Sequence, residues 1–334
     1  MATDLPRLVL LGTAGGPLPS PVRAGISQAV VVGGRTYVVD CGSGVTRQLR
    51  RARLLGGLHR VLLTHLHSDH TCDYFNLFLL GWPIVQWNPP VHVFGPGPAG
   101  GAGALPLDEP ARGQVPLHHP ANPTPGLVDM TDSQFEAHAY DINIRMREAG
   151  RHDLRSMVVP HEIVVPSHVG ACAPDRVAPT MDPLLVEEDD DVRITATLVL
   201  HAPVFPAFAY RFDTSSGSVV ISGDTAPCPN LVRLARGADI LVHEVYDDED
   251  TDPEVEPADD DEAWEAQRRH HHMVTSHTPL SEVGRVAAEA DVDVLVLTHF
   301  IPGDDTRPDD HWVKGVRGFD GDVIVGEDLM ELTL

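Results

Sequence analysis

The sequence predicts a layered α/β protein. Short apolar segments typical of strands alternate with amphipathic segments typical of helices along the chain. Histidines and aspartates stand where several of the apolar segments end, a common place for functional residues in α/β proteins. No linker divides the 334 residues, so we expect one domain over residues 1–334, with loop insertions near residues 95–126, 150–191 and 246–275.

The expected elements follow the spacing of the apolar residues. Strands are predicted at Leu8–Leu11, Ile26–Val32, Tyr37–Asp40, Arg60–Thr64, Val192–Leu200, Ala207–Phe212, Ser218–Ser222, Ile240–His243 and Val294–Thr298. Helices are predicted at Thr46–Leu55, Tyr74–Leu80, residues 131–148, Leu231–Ala235 and from Pro279 onward, with Thr278 as the N-cap.

The composition narrows the classes of partner. With 24 Lys and Arg against 49 Asp and Glu, the formal charge of −25 disfavours non-specific attraction to nucleic acid or to anionic lipid. Four scattered cysteines without a CxxC pair do not form a disulfide framework. Neither a signal-peptide pattern nor an apolar run of 18 or more residues is present, so we expect a cytoplasmic protein without a membrane span.

The strongest chemical signal is the segment THLHSDH at residues 64–70. Side chains at i and i+2 of an extended strand end project to the same side, so His65 and His67 can hold one metal ion. After the chain turns, Asp69 and His70 can face a second ion. A solvated histidine-rich loop is the alternative, but the position directly after an apolar strand argues against it.

Two metal ions need more ligands than this cluster supplies, because one catalytic zinc ion takes about three protein ligands. His201, Asp224 and His299 each stand where an apolar strand meets a loop. Taken singly, each could equally be a hydrogen-bonded structural residue. Taken with the cluster, they are the best candidates for the missing ligands.

These motifs, together with SGDT at residues 222–225 and LTHF at residues 297–300, resemble the metallo-β-lactamase superfamily. Residues 201–212 and 276–287 are similar to the branch that contains ribonuclease Z and the arylsulfatase-like hydrolases. The match runs in order from about residue 7 to residue 300. The resemblance implies an α/β fold in which a four-layer αββα sandwich holds the metals in a cleft at the sheet edges.

The resemblance also implies roles for individual residues. The implied ligands are His65, His67 and His201 for one metal ion, Asp69, His70 and His299 for the other, and Asp224 as the bridge between them. Asp40 would support the metal loop from beneath. His277 would assist catalysis, with the pair His243–Glu244 as its neighbour, although His277 could instead be a hydrogen-bonded residue at the start of a helix. We expect two zinc ions, with manganese or iron as alternatives.

This ligand set predicts a binuclear hydrolase. Two metal ions can share a water, lower its pKa towards ~7 and offset charge on the attacked group. The metal-bridging hydroxide, oriented by Asp69 and Asp224, would attack a small phosphodiester or an aryl sulfate ester. His277 would protonate the leaving oxygen, a step worth on the order of 10²–10⁴ in rate.

The substrate preference depends on the segment that joins Tyr210–Arg211 to SGDT. The resemblance implies that ribonuclease Z carries a long tRNA-gripping arm at this point, whereas this chain has only a short hairpin at Thr214–Gly217. We therefore expect a small-molecule ester and no nucleic-acid partner. A ribonuclease Z-like tRNA 3′-end endonuclease and a non-catalytic metal scaffold or sensor remain as alternatives, and a homodimer is left open.

Two further runs are interpreted as solvated segments. The acidic run Asp247–Glu262 holds eleven carboxylates in sixteen residues, which is typical of a solvated loop. The triplet His270–His272 is interpreted as a solvated turn, with a third metal site as the alternative.

Overall fold

Two β-sheets form the centre of the molecule. The computed structural model describes residues 5–106, 115–249 and 261–334, and the sheets have seven strands each within these ranges. The first sheet contains β1 (Arg7–Gly12), β2 (Ser27–Val32), β3 (Arg35–Val39), β4 (Leu58–Leu62), β5 (Val91–Pro96), β6 (Val158–Ile163) and β14 (Glu331–Thr333). The second contains β7 (Leu184–Glu188), β8 (Val192–Leu198), β9 (Phe208–Thr214), β10 (Ser218–Ile221), β11 (Ile240–Tyr246), β12 (Val294–Ile301) and β13 (Asp322–Val325).

Both sheets are mixed. The first has the order β14-β1-β2-β3-β4-β5-β6, with β3 to β6 parallel. The second has the order β13-β12-β11-β10-β9-β8-β7, with β10 to β13 parallel. Because the carboxyl ends of parallel strands lie at one edge of a sheet, the residues that follow β4 and β10 and those at the carboxyl end of β12 collect at these edges.

The strands alternate between two cores. In β1, Leu8 and Leu10 pack between the sheets, whereas Val9 and Leu11 pack beneath the outer helices, as the two-residue period of a strand requires. The helices are α1 (Val45–Arg51), α2 (Ser68–Thr71), α3 (Tyr74–Val85), α4 (Leu127–Ala137), α5 (Ala139–Glu148), α6 (Pro229–Ala235), α7 (Asp261–Ser276), α8 (Leu280–Ala290) and α9 (Asp309–Gly315).

The helices cover the outer faces of the sheets. The apolar residues of α1 and α3 pack on the first sheet, and those of α6 and α8 pack on the second. Each buried Val or Leu side chain stabilises this arrangement by roughly 1.5–3 kcal/mol relative to an exposed one. The four layers confirm the expected αββα sandwich.

Two helix predictions were wrong in detail. The single helix predicted at residues 131–148 is two helices, α4 and α5, which meet at His138. Thr278 is not an N-cap, because its hydroxyl donates to the backbone oxygen of Thr225 at 2.6 Å and α8 begins two residues later. At Thr278, the hydrogen bond to Thr225, which is distant in sequence, replaces the local bond that would cap the helix.

Several strands were not predicted. The region 150–191, expected as a loop insertion, contributes the edge strands β6 and β7. Strand β6 contains Pro160, which cannot donate a backbone hydrogen bond and is therefore tolerated at the edge of a sheet. Such short edge strands have little periodicity to detect, so only their pairing with β5 and β8 defines them.

The short hairpin predicted between β9 and β10 is present. The two strands pair antiparallel up to Asp213 and Ser218, so no arm projects from this point. The four cysteines are all free thiols. Among the described residues, no helix is both long and apolar enough to cross a lipid bilayer.

Candidate metal centre

Asp40 fixes the loop that carries the histidine cluster. This residue follows β3 with a φ of 59° and is buried. Its carboxylate accepts hydrogen bonds from the backbone N–H and the hydroxyl of Thr64, each at 2.8 Å, and lies 2.8 Å from Nδ1 of His70. These contacts hold the loop as the resemblance implied, and they turn Nε2 of His70 towards the site.

Four predicted ligands form one compact cluster, which we name the carboxylate group: Asp69, His70, Asp224 and His299. Nε2 of His70 lies 3.5 Å from Oδ2 of Asp69 and 3.3 Å from Oδ2 of Asp224. Nε2 of His299 lies 3.6 Å from Oδ2 of Asp69 and 3.4 Å from Oδ1 of Asp224. The loop after β4 and the ends of β10 and β12 thus bring their side chains to one point.

The other three predicted ligands form a neighbouring cluster, which we name the three-histidine group: His65, His67 and His201. Nε2 of His201 lies 3.3 Å from Nδ1 of His67. Nδ1 of His201 lies 3.0 Å from the backbone oxygen of Ser276, so Nδ1 carries the proton and Nε2 faces the group as a lone-pair donor.

Asp224 lies between the two groups. Its Oδ2 atom is 3.9 Å from Nε2 of His65 and 4.0 Å from Nε2 of His201, in addition to its contacts with His70 and His299. The structure therefore brings all seven predicted ligands together, with the aspartate at the position that a bridging ligand would need.

The donor atoms fit divalent metal ions. Nε2 of His65, His70 and His299 and Oδ1 of Asp224 are buried without a hydrogen-bond partner, which is rare and costly in a folded protein. Two ligand atoms bound at 2.0–2.2 Å to one tetrahedral zinc ion stand about 3.3–3.6 Å apart. The separations of 3.3 to 3.6 Å within the carboxylate group match this spacing.

The protonation states of His65, His201 and the two aspartates suit metal binding, whereas neighbouring carboxylates raise the pKa of His70 and of His299, so that these two rings must release a proton when a metal ion binds. Burial lowers the pKa of His65 and of His201 well below the usual value for histidine, so both rings are neutral. Burial would raise the pKa of Asp69, but the neighbouring imidazoles of His299 and His70 lower it to about 2. Burial likewise opposes ionisation of Asp224, yet the imidazoles of His299 and His70 hold its pKa well below the usual range.

Glu244 and His277 form a buried pair beside the carboxylate group. Oε2 of Glu244 lies 2.8 Å from Nδ1 of His277 and 3.8 Å from Nδ1 of His299, and Oε1 accepts the backbone N–H of Thr225. Burial would lower the pKa of His277, but the charge and hydrogen bond of Glu244 raise it to about 9. The imidazole is thus a protonated donor held by a fixed carboxylate.

His243 does not share this position. Residues alternate across β11, and Val242 packs between the sheets whereas Leu241 packs beneath the helices. His243 therefore faces the helical layer, where burial lowers its pKa to about 4. Of the pair predicted from the sequence, only Glu244 reaches the site.

The prediction for His270–His272 was wrong. These residues lie on α7, not on a solvated turn, and the ring of His272 lies 5.5 Å from that of His201 and 5.2 Å from that of His277. Burial lowers the pKa of His272 to about 4, so the ring is neutral. A five-residue spacing does not place His272 and His277 on one helix face, so the contact between their rings could not be predicted from the sequence.

The acidic run is only partly described. Asp247 is buried at the end of β11 and pairs with Arg307 at 2.6 Å and with His311 at 3.0 Å, so it is not solvated as predicted. Asp248 accepts a hydrogen bond from the hydroxyl of Ser281. Residues 250–260 of the run lie outside the described residues.

Comparisons with known proteins agree with this geometry. The family model of the metallo-beta-lactamase superfamily matches residues 22–270. The chain belongs to the metallo-β-lactamase superfamily. Within the superfamily it is 33% identical to a protein named ribonuclease Z from Mycobacterium avium and 32% identical to one from Mycobacterium bovis, each over 96% of both chains. The expected resemblance to the ribonuclease Z branch is therefore confirmed.

Solved structures of this superfamily share the fold. The short form of human tRNase Z superposes with a TM-score of 0.63 at 19% identity, over 98% of each chain. The metallo-β-lactamase fold protein YhfI from Bacillus subtilis superposes with a TM-score of 0.61 at 20% identity, over 98% of this chain and 99% of that one. At these identities the superpositions establish the αββα sandwich and nothing about substrates.

Proposed function

We propose that this protein is a metal-dependent phosphodiesterase that cleaves RNA, as the name of its ribonuclease Z relatives indicates for them. The observation that carries the proposal is the pairing of seven convergent ligand groups with a protonated histidine, His277, held by Glu244. This arrangement provides both parts that hydrolysis of a phosphodiester needs: a site for divalent cations and a proton donor beside it.

The three-histidine group would hold one zinc ion, and Asp69, His70 and His299 would hold the other, with Asp224 shared. When bound, the two ions supply an activated water and offset the negative charge that develops on phosphorus. Asp69 remains ionised because its pKa is about 2, so it can orient that water through its carboxylate. His277 donates its Nε2 proton to the leaving oxygen, since Nδ1 is occupied by Glu244.

The match in length between this chain and its ribonuclease Z relatives favours RNA as the substrate over the small ester expected from the sequence. The short hairpin between β9 and β10 first suggested that RNA has no arm to hold it. However, the alignments with the ribonuclease Z relatives extend over 327 residues and cover 96% of both chains. This chain therefore lacks no long segment that those relatives have, and the short hairpin does not separate it from them.

A small aryl phosphodiester or aryl sulfate remains the second candidate. The formal charge of −25 favours it, since a long polyanion gains little electrostatic attraction from such a protein. An uncharged cavity beside His67 also favours a compact substrate.

The test compares three substrates of the zinc-loaded protein: a precursor tRNA with a 3′ trailer, bis-p-nitrophenyl phosphate and p-nitrophenyl sulfate. We expect specific cleavage of the RNA and slower turnover of the diester. His277→Ala should lower kcat for both by about 10²–10⁴-fold, because the proton donor is lost, whereas zinc content should stay at the wild-type level.

His168→Ala serves as the matched control, since His168 is exposed on the short turn Ser167–Val169 and belongs to neither ligand group, and it should leave kcat unchanged. Turnover of p-nitrophenyl sulfate with no RNA cleavage would replace the proposal with an arylsulfatase-like function. Zinc binding without turnover of any of the three substrates would contradict the enzyme assignment itself.

A further inference from the structure

A cavity of about 370 Å³ opens directly beside the three-histidine group. Leu66 and His67 of the metal loop form one wall, and the segment Pro203–Pro206, just after His201, forms another. The cavity therefore adjoins the metal centre through one candidate ligand, His67. Its volume is near the lower end of the range of roughly 300–1,000 Å³ typical of small-molecule sites.

Among the residues that the structure describes, the lining of the cavity carries no charged side chain. The polar side chains on this part of the lining are those of His67 and Thr124, and Oγ1 of Thr124 already accepts the backbone N–H of Gly101 at 2.8 Å. The remaining lining residues are proline, glycine, alanine, leucine, valine and phenylalanine. A phosphate or sulfate group buried among these described residues would lose its hydration without contacting a charged side chain, so this lining favours an uncharged group.

The walls are also rigid. Six of the lining residues are proline, which fixes φ near −65° and removes side-chain freedom. The backbone N–H of Ala99 donates to the oxygen of Thr124, and that of Val204 donates to the oxygen of His201 at 2.8 Å. A preformed cavity of this kind loses little conformational entropy when a flat group enters it.

We propose that this cavity binds an uncharged planar ring carried by the ester that is cleaved at the metal centre. This proposal rests on the proposed phosphodiesterase function. The ring next to the scissile phosphate would be a nucleobase of RNA or the aryl group of a small diester. Either ring is apolar on its faces and packs on proline and phenylalanine side chains.

The first experiment uses three diesters that release the same p-nitrophenolate, so that only the retained group differs: methyl, phenyl and thymidine 5′-p-nitrophenyl phosphate. We expect kcat/KM of the zinc-loaded protein to be at least about tenfold higher for phenyl or thymidine than for methyl, equivalent to about 1.4 kcal/mol. Higher kcat/KM for thymidine than for phenyl would identify the nucleobase as the natural occupant, and the reverse order would identify an aryl group.

The matched variant is Val204→Asp, which places a charge in the cavity at a half-buried position. It should lower kcat/KM for the phenyl and thymidine esters more than that for the methyl ester and so remove the preference for the ring. Val164→Asp introduces the same charge at a residue that is 79% exposed and does not line the cavity, so it should preserve the preference. Equal kcat/KM for all three esters in the wild type, or an equal loss for all three in Val204→Asp, would overturn the proposal.

A binding measurement separates the cavity from catalysis. Isothermal titration of the zinc-loaded protein with phenylphosphonate and methylphosphonate should give at least about tenfold tighter binding of the phenyl compound, and Val204→Asp should abolish that difference. If no ester is hydrolysed but this difference is observed, the cavity assignment stands and the phosphodiesterase function fails. Equal affinities for the two phosphonates would refute the cavity assignment whatever the enzyme hydrolyses.

Discussion

The two halves of the metal centre differ in charge and in exposure. The carboxylate group contains two ionised aspartates, and His70 in it is braced by Asp40. The three-histidine group has no carboxylate of its own, borders an open cavity, and has a half-buried member in His67. We infer that the carboxylate group binds its metal ion more tightly, whereas the three-histidine group meets the substrate.

The largest effect should follow from the residue that both halves share. Asp224→Ala removes the candidate bridging ligand and leaves the surrounding imidazoles without their buried counter-charge. We expect zinc content below one ion per chain by elemental analysis and a fall in kcat/KM of about 10³-fold or more, since metal chemistry contributes several kcal/mol. Asp182→Ala removes a well-exposed carboxylate and should retain both ions. Wild-type zinc content in Asp224→Ala would refute a bridging role.

Removing one histidine from each group tests directly whether the two groups differ in zinc affinity. His67→Ala should leave about one tightly bound zinc ion per chain, because the carboxylate group stays complete. His299→Ala should weaken that tight site, since its Nε2 atom lies within 3.6 Å of both aspartates. Competition titrations with a zinc chelator measure both affinities. If His67→Ala loses the tighter ion instead, the order of affinities is the reverse of our inference.

A substitution of Asp40, which holds the ring of His70 in place, should have a smaller effect. Asp40→Asn keeps the shape of the side chain but removes the charge that accepts the proton of His70 Nδ1. Partners of this kind typically change metal affinity by about 10–100-fold. We expect the loss to be confined to the carboxylate group, with the affinity of the three-histidine group changed by less than about threefold. Comparable losses at both sites would mean that Asp40 acts on the whole loop.

The smallest effect is expected at His272, which contacts rings of the centre without belonging to either ligand group. His272→Gln should retain both zinc ions and lower kcat/KM for a diester by about three- to tenfold, an amount typical of a single neutral hydrogen bond. His271→Gln, at an exposed residue next to it on α7, is the control. Loss of zinc in His272→Gln would show that the ring supports the ligands rather than the substrate.

The sequence was sufficient to predict a feature of the fold or the site wherever one short segment contained all the residues that define that feature. The convergence of the cluster at residues 64–70 with the candidate ligands His201, Asp224 and His299 could be predicted because each stands at the end of an apolar strand, and strand ends converge in an α/β fold. Chain order and strand periodicity likewise indicated the main strands of both sheets. The edge strands β6 and β7 were missed because they are short and interrupted by proline or charge, so their hydrogen-bonded partners define them.

The sequence by itself determined the metal-binding chemistry of this protein: which residue types are present, and that they stand at strand ends. The tertiary structure alone decided which of His243 and Glu244 faces the centre, that His272 joins it from α7, and that Pro203–Pro206 encloses a cavity beside His67. Ligand identity is a local property of the chain, whereas the direction of a side chain and the shape of a cavity depend on packing between segments that are far apart in sequence.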